Sequence, residues 1–120
     1  MPRDARAYLA DILDSCDAIV IATGKVDLDA YKVNRLVRSS VERELTIIGE
    51  AVAALSHAAP EVFASITKAR RIVDFRNQLT HEYSSINDTL VWGIVDRDVP
   101  VLRAECAALM AGLDPASRAE

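Results

Sequence analysis

Apolar residues recur at steps of three and four along four long stretches of this chain, and few residues interrupt them. The first stretch carries Tyr8, Leu9, Ile12, Leu13, Cys16, Ile19, Val20 and Thr23. The second carries Val37, Val41, Leu45, Ile48, Val52 and Leu55, flanked by Leu36, Ile47 and Ala51. Val62, Ile66, Ala69 and Val73 mark the third, widened by Phe63, Ile72, Phe75 and Leu79. In the fourth the set is Leu90, Val91, Ile94, Val95, Val99, Leu102, Cys106, Leu109 and Met110. This spacing draws one stripe down a 3.6-residue helix, whereas a half-buried strand alternates every second residue. Four Gly and four Pro among 120 residues are too few breakers for the turns of an all-β fold. The pattern predicts an all-α chain: an antiparallel bundle of four main helices plus a short connector helix.

Local signals place the ends. Pro2 at the first helical position and Asp4 near the positive helix end start the first helix around Pro2 and Arg3. Gly24 suits the position just past its end. Residues 26–33 read as a connector with one or two helical turns at most, and Asn34 caps the second long helix. That helix ends near His57, because Pro60 cannot continue it. Gly49 sits inside it at a cost of about 1 kcal/mol against Ala. It either admits a close neighbour or is simply tolerated. The third long helix is expected from about Pro60 to about His81, followed by a loop at 84–87 with Asn87 as the next N-cap. Pro100 lies inside the last helical pattern and removes a backbone donor, so a kink is expected near Asp96 to Asp98. Gly112 and Pro115 end it. Residues 1–113 then form one domain and 114–120 a frayed tail.

Composition bounds the function. Apolar residues make up 51% and charged residues 27%, a folded composition. A formal charge of −4 argues against broad coating of nucleic acid but permits a local basic site. No run approaches the ~18 apolar residues of a membrane span. The first residues lack the apolar core of a signal peptide. A cytoplasmic protein with no membrane partner is expected. Cys16 and Cys106 fall on apolar stripes and read as inert core thiols. There is no CxxC, HExxH, Walker A or GxGxxG pattern. Neither a metal nor a cofactor is expected.

The segment from Lys68 to Tyr83 is the one rich in chemistry. Lys68, Arg70, Arg71 and Arg76 fall within nine positions, and His81, one of two histidines, follows. Arg76 lies on the apolar stripe, where its guanidinium needs a cleft, a carboxylate or a phosphate. Asn77 and His81 are four apart and share a helical face. Arg76 and His81 are five apart, roughly 140° around and ~7.5 Å along an ideal helix. They meet one phosphate only if Arg76 reaches around, the helix deforms or a second subunit completes the site. The chemistry suits RNA cleavage. A histidine can take a proton from a 2′-hydroxyl or give one to a 5′-oxygen near neutral pH, and an arginine can hold the phosphorane oxygens. Plainer readings stand beside this one. Arg76 could be a structural ion-pair partner, His81 a partner of the helix C-terminus, and Tyr83 a rim aromatic. Glu50 could pair with Arg76 across the bundle or lie in solvent, and Trp92 suits core or interface as well as it suits any functional role.

These residues, in this order, resemble the HepT toxins. These are HEPN proteins paired with a minimal nucleotidyltransferase antitoxin of the MntA type. Residues 76–83 match Arg, any four, His, any one, Tyr. Ile47-Ile48-Gly49-Glu50-Ala51 resembles an "IGEA" stretch on the preceding helix. Val91-Trp92, followed by Asp98-Val99-Pro100-Val101-Leu102, is similar to a C-terminal "VW … DLP.L" pattern. The likeness covers about residues 5 to 110; the family's "PW" pair before the motif is replaced by the segment after Pro60. It implies a HEPN bundle that dimerises with its motifs facing across a cleft. It implies a metal-independent endoribonuclease toxin of a type VII-like toxin–antitoxin system, with Arg76 and His81 catalytic and Asn77 and Glu50 in support. Lys68, Arg70 and Arg71 are the candidate RNA contacts. The likeness also implies that Tyr83 receives AMP from the cognate antitoxin, which silences the toxin. The alternative is a non-catalytic HEPN module that binds a nucleotidyltransferase or a nucleotide.

Overall fold

The computed structural model of the chain describes residues 3–82, 84 and 86–113. These form helices and turns, with no strand among them. The first helix, α1, spans Ala5–Thr23 and starts later than expected. Asp4 stands before it in extended conformation and its carboxylate accepts from the Ala7 N–H at 3.0 Å. A side-chain acceptor satisfies one of the four orphan donors of the first turn, so Asp4 is the cap itself. Pro2 lies outside the described residues. Gly24 does follow the helix, but with φ −61°, so no left-handed cap ends it. The chain turns instead into Asp27, whose side chain caps the connector helix α2, Leu28–Val33.

Asn34 accepts from the Val37 N–H at 3.1 Å and starts α3, Arg35–Ala58. As expected, Pro60 stops it and opens a new element, α4, Pro60–Ala64. The third long helix is not continuous. It is divided into α4 and α5, Ala69–His81, with Lys68 between them at φ 59° and ψ 29°. A left-handed residue cannot carry right-handed helical bonding, and it costs roughly 1–2 kcal/mol. What holds the turn is remote in sequence. The N–H and the hydroxyl of Thr67 both donate to the Glu105 carboxylate, at 2.9 and 2.5 Å.

The fourth pattern begins at Asn87, which accepts from the N–H groups of Thr89 and Leu90. It is divided into α6, Asp88–Gly93, a π-helical turn, Ile94–Asp98, and α7, Val99–Gly112. The irregularity falls where Pro100 placed it, but as a widened turn. The Val99 N–H donates five residues back to Ile94, and Pro100 enters α7 in its first turn, where a missing N–H is harmless. The expected tail, 114–120, lies outside the described residues.

Helix α3 is the centre of the bundle. It packs against α1 and α5 most extensively, and α1 in turn covers α7. Its stripe of Val41, Leu45, Ile48, Val52 and Leu55 is buried against Leu9, Ile12 and Ile19 of α1. Val20, placed on the first stripe by spacing, is instead 54% exposed. Tyr31 of α2 is fully buried beside Trp92, with ring centroids 5.3 Å apart. Both thiols are free and buried, and burial pushes Cys16 and Cys106 up to about 12. Among the described residues no helix is long and apolar enough to cross a membrane.

Candidate active site

Arg76, five residues before the end of α5, decides how this helix sits on α3. Gly49 is buried at the crossing, and a Cβ built there would overlap the Cβ of Arg76 and lie 2.6 Å from its Cγ. The glycine therefore admits a close neighbour, and that neighbour is Arg76. The helices approach until the base of the arginine side chain fills the space a Cβ would take. Pairings at Gly49 with Arg76, and near Glu42 with Ser84, run in opposite directions along the two segments, so α5 lies antiparallel to α3.

Arg76 is half-buried, and its Nε is fully buried with no hydrogen-bond partner. A desolvated donor left unpaired costs about 1–3 kcal/mol, which an anionic acceptor would recover. Among the described residues no ion pair reaches Arg76. Glu50 does not pair with it; of the two placements open to Glu50, it takes the solvent-exposed one. Asn77 and His81 are both exposed, one turn apart on the outer face of α5. His81 is the last residue of the helix. The Thr80 hydroxyl donates to the Arg76 carbonyl at 3.0 Å, and the Glu82 N–H to that of Gln78 at 2.8 Å, so the last turn is closed. Among the described residues no hydrogen bond joins Arg76 to His81. Tyr83 lies outside the described residues.

The basic trio is divided between two environments: Lys68 and Arg71 both line one cleft, and Arg70 does not. Lys68 lies 3.9 Å from Asp98, and Arg70 lies over the Phe63 ring at 5.6 Å. The shared cleft, of about 640 Å³, is also lined by Ile48, Ile72, Phe75 and Val99. Neither Arg76, Asn77 nor His81 lines that cleft. A second cleft, of about 430 Å³, lies at the other end of the α3–α5 pair, lined by Arg38, Glu42, Ser84 and Asp88. None of its residues stood out in the sequence. Arg38 and Glu42 are one helical turn apart, a common surface pattern, and Asp88 is fifty residues further on. Among the described residues no group of His, Cys, Asp or Glu is placed to hold a metal ion.

Residues 12–109 match the family model described as Ribonuclease HepT-like. The chain belongs to the HepT-like ribonuclease family. Among relatives of this HepT-like chain, the "Putative RNase MJ1380" of Methanocaldococcus jannaschii is 36% identical over 103 residues, which cover 86% of this chain and 94% of that protein. "Putative RNase MJ0127" of the same organism is 35% identical over 106 residues, covering 83% of each. The "Probable ribonuclease HepT" of Thermococcus cleftensis is 26% identical over 105 residues, covering 88% of this chain and 94% of the relative. No solved structure gives a significant match.

Proposed function

We propose that this HepT-like chain is a metal-independent endoribonuclease acting as the toxin of a two-component system. Arg76 and His81 are its catalytic residues. The observation that carries the reading is the state of Arg76. Its stem is seated on Gly49 and its buried Nε has no partner, next to an exposed histidine on the same helix. A guanidinium held in that way is prepared for a phosphate oxygen. His81 removes the proton of the 2′-hydroxyl, the oxygen attacks phosphorus, and the P–O5′ bond breaks. The 5′-oxygen takes a proton as it leaves, and Arg76 holds the charge that builds on the phosphoryl oxygens. One histidine does not serve both ends at once. A homodimer with facing motifs brings the partner subunit's His81 to the other oxygen and removes the need for Arg76 and His81 to converge within one protomer. Asn77, beside His81 on the exposed face, orients the substrate, and Glu50 lies at the solvent edge of the same crossing.

Neutralisation is assigned to a cognate nucleotidyltransferase antitoxin of the MntA type, which binds the toxin and transfers AMP to Tyr83. The added phosphodiester carries one negative charge and competes with RNA for Arg76. The test uses purified chain and end-labelled RNA, with and without EDTA. Cleavage that survives EDTA is expected. Metal-dependent cleavage overturns the mechanism, and no cleavage at all favours the alternative, a non-catalytic module that binds a nucleotidyltransferase or a nucleotide. Intact mass after co-expression with the adjacent nucleotidyltransferase is expected to show AMP additions that Tyr83→Phe removes.

A further inference from the structure

The second cleft carries polar groups that the reaction above does not use. Arg35, Arg38 and Glu42 come from the first turns of α3, Ser84 and Ile86 from the loop after α5, and Asp88 from the start of α6. Behind it stands Tyr31, fully buried, with a hydroxyl that has no hydrogen-bond partner. Its electrostatic neighbours, Glu42, Asp88 and Arg38, all line the cleft, although Tyr31 itself does not. The Nε of Arg38 is also buried and unpaired, although its terminal nitrogen reaches Asp88 at 3.3 Å. A buried orphaned donor costs about 1–3 kcal/mol unless something accepts from it. The cleft thus offers donors from Arg38 and Arg35 beside a carboxyl, Glu42, that makes no ion pair among the described residues.

We infer that this cleft is a base-recognition subsite for the RNA substrate and takes a guanine, with Glu42 accepting from its N1–H and N2–H and with Arg38 donating to its O6. The inference rests on the ribonuclease reading. A guanine edge sets two adjacent donors beside one acceptor, the complement of a free carboxylate next to orphaned donors. Adenine, cytosine and uracil do not offer that sequence of groups. Sequence-specific RNA recognition uses unstacked bases read on this edge, and the Arg35 guanidinium and Ile86 supply a flat and an apolar surface against the ring. Burial and the nearby Asp88 raise the Glu42 carboxyl above its ordinary value, which two N–H donors would offset. The position fits. Seven helical residues separate Glu42 from Gly49, roughly 10 Å along α3. Stacked strands advance about 3.4 Å per nucleotide, so the subsite is at most about three nucleotides from Arg76.

The test is an NMR titration of the ¹⁵N-labelled chain with each 5′-mononucleotide, beside mapping of the cut sites in a mixed-sequence RNA. GMP is expected to shift amides around Arg38, Glu42 and Ile86 and to bind ~10-fold or more tightly than the other three, as one bidentate pair discriminates. Glu42→Gln should remove that preference with the fold intact by circular dichroism. Equal binding of the four, shifts centred on Lys68 to Arg71, or GMP binding undiminished in Glu42→Gln overturns the subsite. An active enzyme whose cuts show no guanine within three nucleotides overturns it and leaves the ribonuclease reading standing. If RNA is not cut, the ribonuclease reading falls and the GMP titration still decides whether the cleft takes guanine.

Discussion

Arg76 and His81 lie five residues apart on one helix, and the fold holds them by different means. Arg76 is set by packing: its Cβ occupies the place that Gly49 leaves open on α3. His81 is set only by being the last residue of α5, exposed and without a side-chain partner. The first position is therefore determined by a contact between helices and the second by where a helix stops. A cation whose role is to hold charge benefits from a fixed position. A proton carrier needs access to solvent and substrate. Mutations at the two positions are expected to separate accordingly.

The largest effect is on chemistry. His81→Ala and Arg76→Ala are each expected to slow RNA cleavage by ~10²-fold or more, while both proteins stay folded. Removing the exposed imidazole leaves thermal stability unchanged. In Arg76→Ala two opposing changes nearly cancel. Losing part of a packed stem costs about 1 kcal/mol at ~0.8 kcal/mol per methylene, and deleting the orphaned Nε recovers about as much. Wild-type cleavage by either variant, or unfolding of His81→Ala, would break the comparison.

Next comes the crossing itself. Gly49→Ala gains about 1 kcal/mol of helix propensity but forces two helices apart at a cost of about 1–3 kcal/mol. A net loss in denaturant unfolding is expected, together with reduced cleavage as Arg76 shifts. Arg76→Ala should not relieve it, because the atom met first is the Cβ that alanine keeps. Full rescue in the double variant would show that the long side chain, and not helix approach, sets the spacing.

A smaller effect belongs to the core under α1 and α7. Cys16 and Cys106 have folded-state values raised to about 12 by burial, against ordinary values near 9. The unfolded chain therefore loses its thiol protons first. Stability is complete below about pH 9 and declines as pH rises toward 12. Melting curves from pH 8 to 10.5 should show that decline, and Cys16→Ala with Cys106→Ala should flatten it. The smallest effect is at the surface. Arg103 pairs with Asp17 at 2.6 Å, but both are half-exposed, so Arg103→Ala is expected to leave the melting temperature unchanged. A clear drop would show that the α1–α7 side is held by charge as well as by packing.

Much of the fold was legible before any coordinates. The stripes of α1 and α3, the caps at Asn34 and Asn87, the stop before Pro60 and the irregularity ahead of Pro100 all depend on residues within a turn or two of each other. Arg76, Asn77 and His81 stood out as candidates through their spacing and the family motif they resemble. Gly49 was legible as an anomaly, although not as the seat of Arg76.

What the chain alone determined, then, is its helical content, most helix ends and its family, because periodicity and capping act through neighbours in sequence. Tertiary structure decided the rest. The break at Lys68 is held by Glu105, thirty-eight residues past Thr67. Lys68 and Arg71 share a cleft with Ile48 and Asp98, while Arg70 turns to Phe63, because of what packs against the start of α5. The cluster of Tyr31, Arg38, Glu42 and Asp88 exists only because α2, α3 and α6 come together at one end of the bundle. Such contacts join residues far apart along the chain, and local sequence carries no signal for them; only the packing of one helix on another brings their charges and orphaned donors together.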